Sequence, residues 1–389
     1  MKIGIVCYPT YGGSGVVATE LGKALAHKGH YVHFITYRQP PRLSALAFET
    51  RTFYHEVSFY EYPLFEYAPY SSALTSKIVD VVRHEKLDLV HVHYAIPHAS
   101  AAYMAQQILK THGIYMPFIT TLHGTDITLV GKDATFEPIV TFSINASDGI
   151  TAVSESLKKQ TYQYFNIPKD IAVIPNFIDL SAFKKHNKEH FKKAIAPNGE
   201  RIIMHTSTFR PVKRIDDVMQ VFYQIYQQIP SKLLLVGDGP ERAKAEQFCR
   251  DKNLCNDVLF LGKQDAIGEL LAVTDLFLLP SESESFGLVA LEAMACEVPV
   301  ISSNTGGIPE INIHGQTGFL SDVGNINEMA QNAIMLLQNN DLLQEFRKNA
   351  LQRATQFDLH KILPLYENYY LTVIERAKKA NYHLNNYAV

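Results

Sequence analysis

Short β-rich runs alternate with amphipathic helical patterns along most of this 389-residue chain. The predicted strands are Ile3–Tyr8, Tyr31–Tyr37, Leu87–His93, Phe118–Leu122 and Ile150–Val153 in the first half, then Ile202–Thr206, Leu233–Val236, Val258–Leu261, Leu276–Leu279 and Val300–Ser302 in the second. The helical patterns between several of them include Val16–His27, Ser71–His84 and Ala99–Thr111. Strands that alternate with helices of this length predict parallel sheets built from β-α-β units, which is an α/β fold.

The alternation pauses near the middle of the chain, at Ile174–Asp179 and at a polar run, Lys184–Lys193. A prior of roughly one domain per 150 residues also suggests two or three domains. We therefore predict two Rossmann-like, doubly wound domains, residues 1–175 and 176–359, that face each other across a cleft.

The chain ends in two helical patterns, Leu342–Thr355 and Leu359–Lys379, and no predicted strand follows them. We expect the first of them to close the second domain. The last helix, about residues 360–389, is expected to cross back to the first domain.

The composition excludes several classes of function. A net charge of −3 lacks the excess of positive charge expected of a protein that binds nucleic acid or an anionic membrane. Cys7, Cys249, Cys255 and Cys296 contain no C-x-x-C pair, and unpaired thiols fit a reducing cytosol. The apolar run in Met1–Cys7 is too short for a signal peptide, and no run approaches the roughly 18 apolar residues of a membrane span. The sequence therefore predicts a cytoplasmic protein.

The most informative motif is a loop that opens into an apolar helical pattern, Leu288–Cys296. One carboxylate, Glu292, lies inside this pattern, and a second acid, Glu284, precedes it with seven residues between them. A charge among apolar neighbours is unfavourable unless it is hydrogen-bonded, and the N–H groups of a helix N-terminus bind anions. The motif fits a nucleotide joined to a sugar. A capping acid followed by a paired helix acid is the structural alternative.

A glycine-rich loop, Gly12–Gly15, follows the first predicted strand and precedes a helix. Gly13, Gly15 and Ala18 satisfy the dinucleotide fingerprint, but no acid follows the second strand. Arg38 stands there instead and could face the 2′-phosphate of NADP. We favour glycines that let the backbone approach a ligand, with helix N–H groups directed at a diphosphate or carboxylate. A tight turn without a ligand is the remaining interpretation.

A basic loop, Thr208–Arg214, follows the first predicted strand of the second domain. Arg210 and Lys213 in this loop could bind one diphosphate, the arginine through its planar fork and the lysine as a point charge. A solvated surface cluster is the alternative. Ligands of open α/β sheets bind beyond the carboxyl ends of the strands, which favours the binding interpretation.

His91 and His93 lie on one face of a predicted strand, because side chains in a strand alternate with period two. Together with His98 and His123 they allow a metal hypothesis, but the set lacks a fixed carboxylate or thiolate partner, and hydrogen-bonded structural histidines are favoured. His123 directly precedes Gly124, just after another strand. A histidine there could donate to a substrate hydroxyl or stabilise developing charge, and structural packing is the alternative.

Taken together, these residues resemble the retaining GT-B glycosyltransferases of family 4. The signature of that family is Glu, seven residues, Glu, which corresponds here to Glu284 and Glu292. The Arg210 and Lys213 pair and the Gly306-Gly307 loop resemble further landmarks, although the spacing from Arg210 to Lys213 is shorter than in most of the family. The resemblance covers about residues 2–375.

Several loops resemble one subgroup more closely, the bacillithiol-pathway transferases. These loops are Cys7–Gly15, His91–Tyr94 with Pro97-His98, Thr120–Asp126 and Ser283–Glu292. The resemblance implies UDP-N-acetylglucosamine (UDP-GlcNAc) as the donor and the hydroxyl of L-malate as the acceptor. It also implies a first domain that binds the acceptor and a second domain that binds the nucleotide-sugar.

The resemblance further implies a role for individual residues. The implied catalytic residues are His123, Glu284, Arg210 and Lys213. The implied donor-binding residues are Gly15, Arg210, Lys213, Phe286, Gly287, Leu288 and Glu292. The implied acceptor-binding residues are Gly13, Ser14, Tyr94 and Thr121, with Arg38, Arg42 and Lys132 as candidate cations for the malate carboxylates.

Within this scheme Glu292 holds the ribose hydroxyls and Glu284 the sugar hydroxyls, while Arg210 and Lys213 neutralise the leaving diphosphate. We expect no metal, no cofactor and no protein nucleophile. The expected partners are the two small substrates, without nucleic acid or membrane, and the sequence leaves a homodimer open. The alternatives are a family 4 transferase with another small acceptor such as an inositol phosphate or a sugar, a UDP-sugar epimerase, and an NADP-dependent oxidoreductase.

Overall fold

The computed structural model describes residues 1–10, 12–41, 43, 51–58, 69–131, 133–185 and 188–386. The chain divides into two compact units. The first unit combines Met1–Asn176 with His360–Val389, and the second is Phe177–Leu359. The predicted α/β class is confirmed, because each unit is built on one parallel sheet.

Seven parallel strands form the sheet of the first unit within the described residues. These strands are β1 Lys2–Val6, β2 Tyr31–Thr36, β3 Thr52–Glu56, β4 Leu89–His93, β5 Phe118–Leu122, β6 Gly149–Ala152 and β7 Ala172–Val173. The helices are α1 Ser14–His27, α2 Tyr70–Glu85, α3 Ser100–Thr111, α4 Glu137–Ala146 and α5 Glu155–Tyr164. The spatial order β3-β2-β1-β4-β5-β6-β7 reverses direction between β1 and β4. A ligand site is expected at such a switch point.

The second unit repeats this plan with six parallel strands among its described residues. The elements are α6 Glu189–Ile195, β8 Arg201–Thr208, α7 Ile215–Tyr226, β9 Ser231–Asp238, α8 Arg242–Asp251, β10 Val258–Gly262, α9 Ile267–Leu271, β11 Leu276–Leu279, α10 Leu288–Ala295, β12 Val300–Ser303, β13 Gly318–Ser321, α11 Ile326–Gln338 and α12 Asn340–Ala354. The order β10-β9-β8-β11-β12-β13 reverses between β8 and β11.

Both sheets are stabilised by apolar side chains that the flanking helices cover. In the first unit Val90, Val92 and Phe118 of the central strands pack in one buried cluster with residues of α2 and α3. In the second unit Leu233 and Leu276 occupy the corresponding cluster with residues of α7 and α11. Parallel strands that are buried on both faces have continuous apolar runs in their sequences. This is why the central strands could be predicted from sequence.

The last helix, α13 (Leu359–Asn386), returns to the first unit as predicted. Its Tyr370 hydroxyl lies 2.7 Å from Nδ1 of His91 on β4. Its Tyr369 hydroxyl accepts from the backbone N–H of Ile150 at 2.8 Å and donates to the carbonyl of the same residue at 3.0 Å. At Gly149 a Cβ atom would lie 2.7 Å from Val373, so the helix approaches β6 closely at that glycine.

Three strands of the described residues were not predicted from the sequence, and their apolar signals are weak. They are β3, β7 and β13. The first is a half-exposed edge strand, the second has two residues and the third begins with glycine. In the described part of the chain, every helix is too short or too polar to cross a bilayer.

Candidate active site

The second unit brings two of the predicted loops together at its switch point. One loop follows β8 and contains Arg210 and Lys213, and the other follows β11 and contains Glu284. The backbone N–H of Glu282 donates to the carbonyl of Val212 at 2.9 Å, and this hydrogen bond connects the two loops. Motifs that lie about 70 residues apart in sequence thus share one edge of the sheet.

Lys213 and Glu284 form an ion pair at this edge. Nζ of Lys213 lies 2.5 Å from Oε1 of Glu284, and the Ser281 hydroxyl donates to the same oxygen at 3.0 Å. Their side chains are only 17% and 12% exposed. An ion pair shielded from water holds both side chains in fixed positions, and loss of either partner leaves a poorly solvated charge.

Arg210 takes a different position from Lys213 although both are predicted to bind the diphosphate. Its side chain is exposed, and Nε donates to the hydroxyl of Thr208 at 3.2 Å. The next cation, Arg214, has a left-handed backbone with φ 51° and pairs with Asp217 at 2.5 Å. The structure therefore joins Lys213 to Glu284 and leaves Arg210 beside that pair on the surface of the same loop.

The glycine loop after β12 is explained by contact with the backbone of Glu284. Gly306 has φ +56°, and a Cβ atom there would lie 1.9 Å from the Glu284 carbonyl oxygen. The N–H of Gly307 donates to that oxygen at 2.9 Å. These glycines position Glu284. The segment that follows them, Ile308–Glu310, is a single 3-10 turn.

Helix α10 begins at Leu288, directly after Gly287, whose φ of +92° favours glycine. Glu292 is buried in this helix at 6% exposure, among apolar neighbours as the sequence predicted. The ring of Phe286 is buried against Phe357, at 5.7 Å between ring centroids. Any contribution of Phe286 to donor binding therefore falls to its backbone.

In the first unit the glycine loop follows β1, at the other switch point. Helix α1 begins at Ser14, two residues before the predicted start, with Gly13 as its N-cap at φ +60°. A Cβ atom at Gly15 would lie 2.5 Å from the carbonyl oxygen of Tyr8, so only glycine fits there. The Ser14 hydroxyl lies 2.7 Å from the hydroxyl of Tyr94, which follows β4. Two of the predicted acceptor residues are thus in direct contact.

Thr121, another predicted acceptor residue, is fully buried. Its hydroxyl lies 2.6 Å from Nε2 of His91 and 2.6 Å from the hydroxyl of Thr151. Its carbonyl accepts from the N–H of Tyr94 at 2.9 Å. The structure therefore places Thr121 beneath Tyr94 as a support for the loop.

His93 and His123 are paired through their rings, with Nδ1 of His93 2.7 Å from Nε2 of His123. Burial, followed by the neighbouring His98, lowers the pKa of His123 to about 3. Burial, followed by the neighbouring His123, lowers the pKa of His91 to about 3. These imidazoles are therefore neutral near pH 7 and act through hydrogen bonds.

His98 supports the structural interpretation of the histidine group. Its Nδ1 donates to the carbonyl of His93 at 2.5 Å, and its Nε2 therefore accepts from the hydroxyl of Tyr70 at 3.2 Å. Both nitrogens of His91 are also engaged, one with Tyr370 and the other with Thr121. His91 and His98 therefore each have hydrogen-bond partners at both ring nitrogens.

Sequence reasoning gave no role to Asp126, which organises the loop around His123. Its carboxylate accepts from the N–H groups of Ala95 at 2.9 Å, Gly124 at 3.0 Å and His123 at 3.3 Å. Burial raises its pKa. An acid two residues after a strand-end glycine is the available signal for such a role. Of the candidate acceptor cations, Arg38 is exposed at the end of β2, and Arg42 and Lys132 lie outside the described residues.

Comparison with solved structures defines the class of fold. Sucrose-phosphate synthase from Thermosynechococcus elongatus superposes with a TM-score of 0.80 at 20% identity, over 97% of this chain and 100% of that one. HepE from Anabaena, in complex with UDP and glucose, superposes with a TM-score of 0.80 at 22% identity, over 95% and 98% of the two chains. The two doubly wound units therefore have the GT-B fold.

Comparison of sequences defines the family. Residues 11–182 match the model described as Glycosyltransferase Family 4, and residues 186–353 match the model described as Glycosyl transferases group 1. The N-acetyl-alpha-D-glucosaminyl L-malate synthase of Bacillus anthracis is 47% identical over 380 residues, which cover 97% of this chain and 98% of that protein. The chain belongs to the family 4 glycosyltransferases.

Proposed function

We propose that this protein transfers N-acetylglucosamine from UDP-GlcNAc to the hydroxyl of L-malate, with retention of configuration at the sugar carbon. The nearly full-length similarity to the Bacillus anthracis malate synthase carries the proposal. The paired Lys213 and Glu284 at the switch point of the second unit support it, because they supply a cation for a diphosphate and an acid for sugar hydroxyls.

Donor binding is assigned to the second unit. Lys213 neutralises the leaving diphosphate, and the exposed Arg210 contributes a second positive charge from the same loop. When the diphosphate binds, Lys213 gains a second anionic partner. Glu284 is then paired less strongly with Lys213 and can accept hydrogen bonds from the sugar hydroxyls. Glu292 holds the ribose hydroxyls, and helix α10 supplies N–H groups near Gly287 and Leu288 for the phosphates.

Acceptor binding is assigned to the first unit. Helix α1 begins at Ser14, and its N-terminus suits a malate carboxylate through its N–H groups and its dipole. The hydroxyls of Ser14 and Tyr94 are polarised by their mutual hydrogen bond and can bind a second oxygen of the acceptor. Gly13 and Gly15 allow the backbone to approach a ligand closely.

Transfer requires that positive charge spreads over the sugar ring as its bond to the diphosphate breaks. The neutral imidazole of His123 can hydrogen-bond the sugar without repelling that charge. In our mechanism the electron pair of the breaking bond leaves with UDP, the malate oxygen bonds to the sugar carbon on the same face, and its proton passes to a diphosphate oxygen. Isolation of a glycosyl adduct on any side chain would replace this mechanism with a two-step displacement.

We also propose that the reaction needs no divalent metal, since Lys213 and Arg210 supply the countercharge. Activity is expected to persist after exhaustive chelation, and its loss on chelation followed by recovery with Mg²⁺ would refute this part of the proposal. We place the reaction in the cytoplasm. All four cysteines lie within the described residues and are free thiols, which is consistent with that location.

The decisive experiment measures UDP release from UDP-GlcNAc across a panel of hydroxy acids and polyols. L-malate is expected to stimulate release well above the rate with water, and mass spectrometry should detect the glycosylated malate. Stimulation by an inositol phosphate or a sugar alone would retain the family assignment and exclude malate. Release that needs no acceptor would favour an epimerase or a hydrolase.

A further inference from the structure

Two histidines and a glutamate form a cluster in the first unit, outside the loops of the candidate active site. The ligand atoms of His33, His55 and Glu85 all lie within 4.8 Å of one another. Nδ1 of His33 is 3.0 Å from Nε2 of His55. His33 is buried, whereas His55 and Glu85 are half-buried, so the cluster lies at the boundary between core and solvent.

The cluster follows from the register of three elements. Strands β2 and β3 pair in parallel with His33 opposite Phe53 and Ile35 opposite His55. Side chains two residues apart share a face, so both histidines lie on the same side of the sheet. Helix α2 packs on β2 and β3 and ends at Glu85, where the side chain of Lys2 donates to the Glu85 carbonyl at 2.8 Å.

We propose that His33, His55 and Glu85 bind a divalent transition metal ion, with Zn²⁺ as the preferred ion and water completing a tetrahedral site. Imidazole nitrogen and carboxylate oxygen are ligands that Zn²⁺ takes in proteins. Zn–N bonds of about 2.0–2.1 Å in a tetrahedron place two nitrogens about 3.3–3.4 Å apart. The two rings therefore need to separate by only about 0.3–0.4 Å from their present hydrogen-bonded distance.

The electrostatic surroundings suit this role. Burial lowers the pKa of His33 to about 4, and burial also lowers the pKa of His55, so that both rings are neutral near pH 7 and have a lone pair to offer. The other charges that act on the two rings are Lys2, Lys77 and Asp80, besides Glu85 itself. Glu85 thus supplies the negative charge within the cluster.

A metal ion bound here would join β2, β3 and the end of α2. Among the described strands β3 pairs with β2 alone, so the ion would attach this strand to β2 and α2 as well. The role is structural and separate from sugar transfer. The site is therefore compatible with a transferase reaction that needs no metal.

The test is a titration of the full-length, metal-free protein with Co²⁺, followed by competition with Zn²⁺. The visible absorption of Co²⁺ reports whether its coordination is tetrahedral. We expect one Co²⁺ per chain at micromolar concentration, displacement by Zn²⁺, and a rise in the unfolding temperature with Zn²⁺. His55→Gln and Glu85→Gln should each weaken binding at least 10-fold and remove the thermal shift.

His84→Gln is the matched control, because His84 neighbours Glu85 on the same helix but its side chain is 76% exposed and bonded to Asp80. It should bind Co²⁺ like the unmodified protein. Equal binding by the unmodified protein, His55→Gln and Glu85→Gln, or an octahedral spectrum in the unmodified protein, would overturn the proposal. His33→Gln is less informative, because a buried substitution can unfold the chain. Transferase activity in chelator should be the same for Glu85→Gln and the unmodified protein.

Discussion

Nζ of Lys213 lies 2.5 Å from Oε1 of Glu284. The cation assigned to the diphosphate and the acid assigned to the sugar are thus paired with each other. Because each side chain is more than four-fifths shielded from water, each depends on the other for a partner. A change at either position will therefore affect both stability and catalysis, and experiments must separate the two effects.

Lys213→Ala should lower kcat by about 10²–10³-fold, the effect expected for loss of one group that stabilises transition-state charge. The KM for UDP-GlcNAc should change much less. Initial rates of UDP release over a range of donor concentrations measure both constants. Lys244→Ala, at an exposed lysine on helix α8, is the control and should leave both constants unchanged.

The double variant with Lys213→Ala and Glu284→Gln separates the catalytic effect of losing the Lys213 charge from the stability lost when Glu284 is left unpaired. Removal of both charges should restore part of the free energy of unfolding that Lys213→Ala loses, because no unpaired carboxylate remains. Activity should stay low. Recovery of activity in the double variant would mean that Lys213 acts only by neutralising Glu284.

Glu292→Gln should weaken donor binding, with a smaller effect on kcat. Hydrogen bonds to a charged group contribute about 1.5–3 kcal/mol, which corresponds to a rise of roughly 10- to 150-fold in Kd. Calorimetric titration with UDP measures the change directly. Normal UDP affinity combined with a low kcat would show that the ribose assignment of Glu292 is wrong.

Gly306→Ala should reduce both stability and activity, because its Cβ atom would lie 1.9 Å from the carbonyl oxygen of Glu284. Gly315→Ala is a matched control, since Gly315 also has a positive φ, +73°, but has open space around it. Both variants should lose about 1–2 kcal/mol to backbone strain. Only Gly306→Ala should also lower kcat. Equal activities in the two variants would argue against positioning of Glu284 by this loop.

Stability should fall as the pH drops from about 6.5 towards 5. Burial lowers the pKa of His98 and of His205 to about 4, so these rings are neutral in the folded state and take up protons on unfolding. Such a group contributes stability that is complete above the unfolded pKa and is lost as the pH falls towards the folded value. Each histidine should lower the free energy of unfolding by about 1.4 kcal/mol per pH unit across this window.

Urea unfolding between pH 5 and pH 7 tests this expectation. His205→Gln should reduce the slope by about one proton, because it removes one buried neutral imidazole of the second unit. The pH slope is the test and the total free energy of unfolding is not, because His205→Gln also removes the hydrogen bond that Nδ1 of His205 donates to the Leu278 carbonyl at 2.9 Å. An unchanged slope in His205→Gln would show that this ring titrates normally in the folded state.

The sequence was sufficient for the central strands and for the loops after them, because buried apolar runs and strand-end glycines leave local signals. It was not sufficient for the pairing of Lys213 with Glu284, which depends on β8 lying beside β11. The same limit applies to the buried, supporting position of Thr121. Period two predicts which face of its strand Thr121 occupies. The contact of its partner His91 with Tyr370, however, depends on a helix 279 residues further along.

The return of α13 to the first unit has a consequence for how the protein is made. The first unit consists of Met1–Asn176 and His360–Val389, so a ribosome completes the whole second unit before the final helix emerges. Until then His91 lacks its contact with Tyr370, and Ile150 lacks its two hydrogen bonds with Tyr369. The first unit therefore begins to be synthesised before the second but is completed after it. A nascent chain that stalls before α13 would carry a first unit without its last helix, although every residue of the second unit has been made.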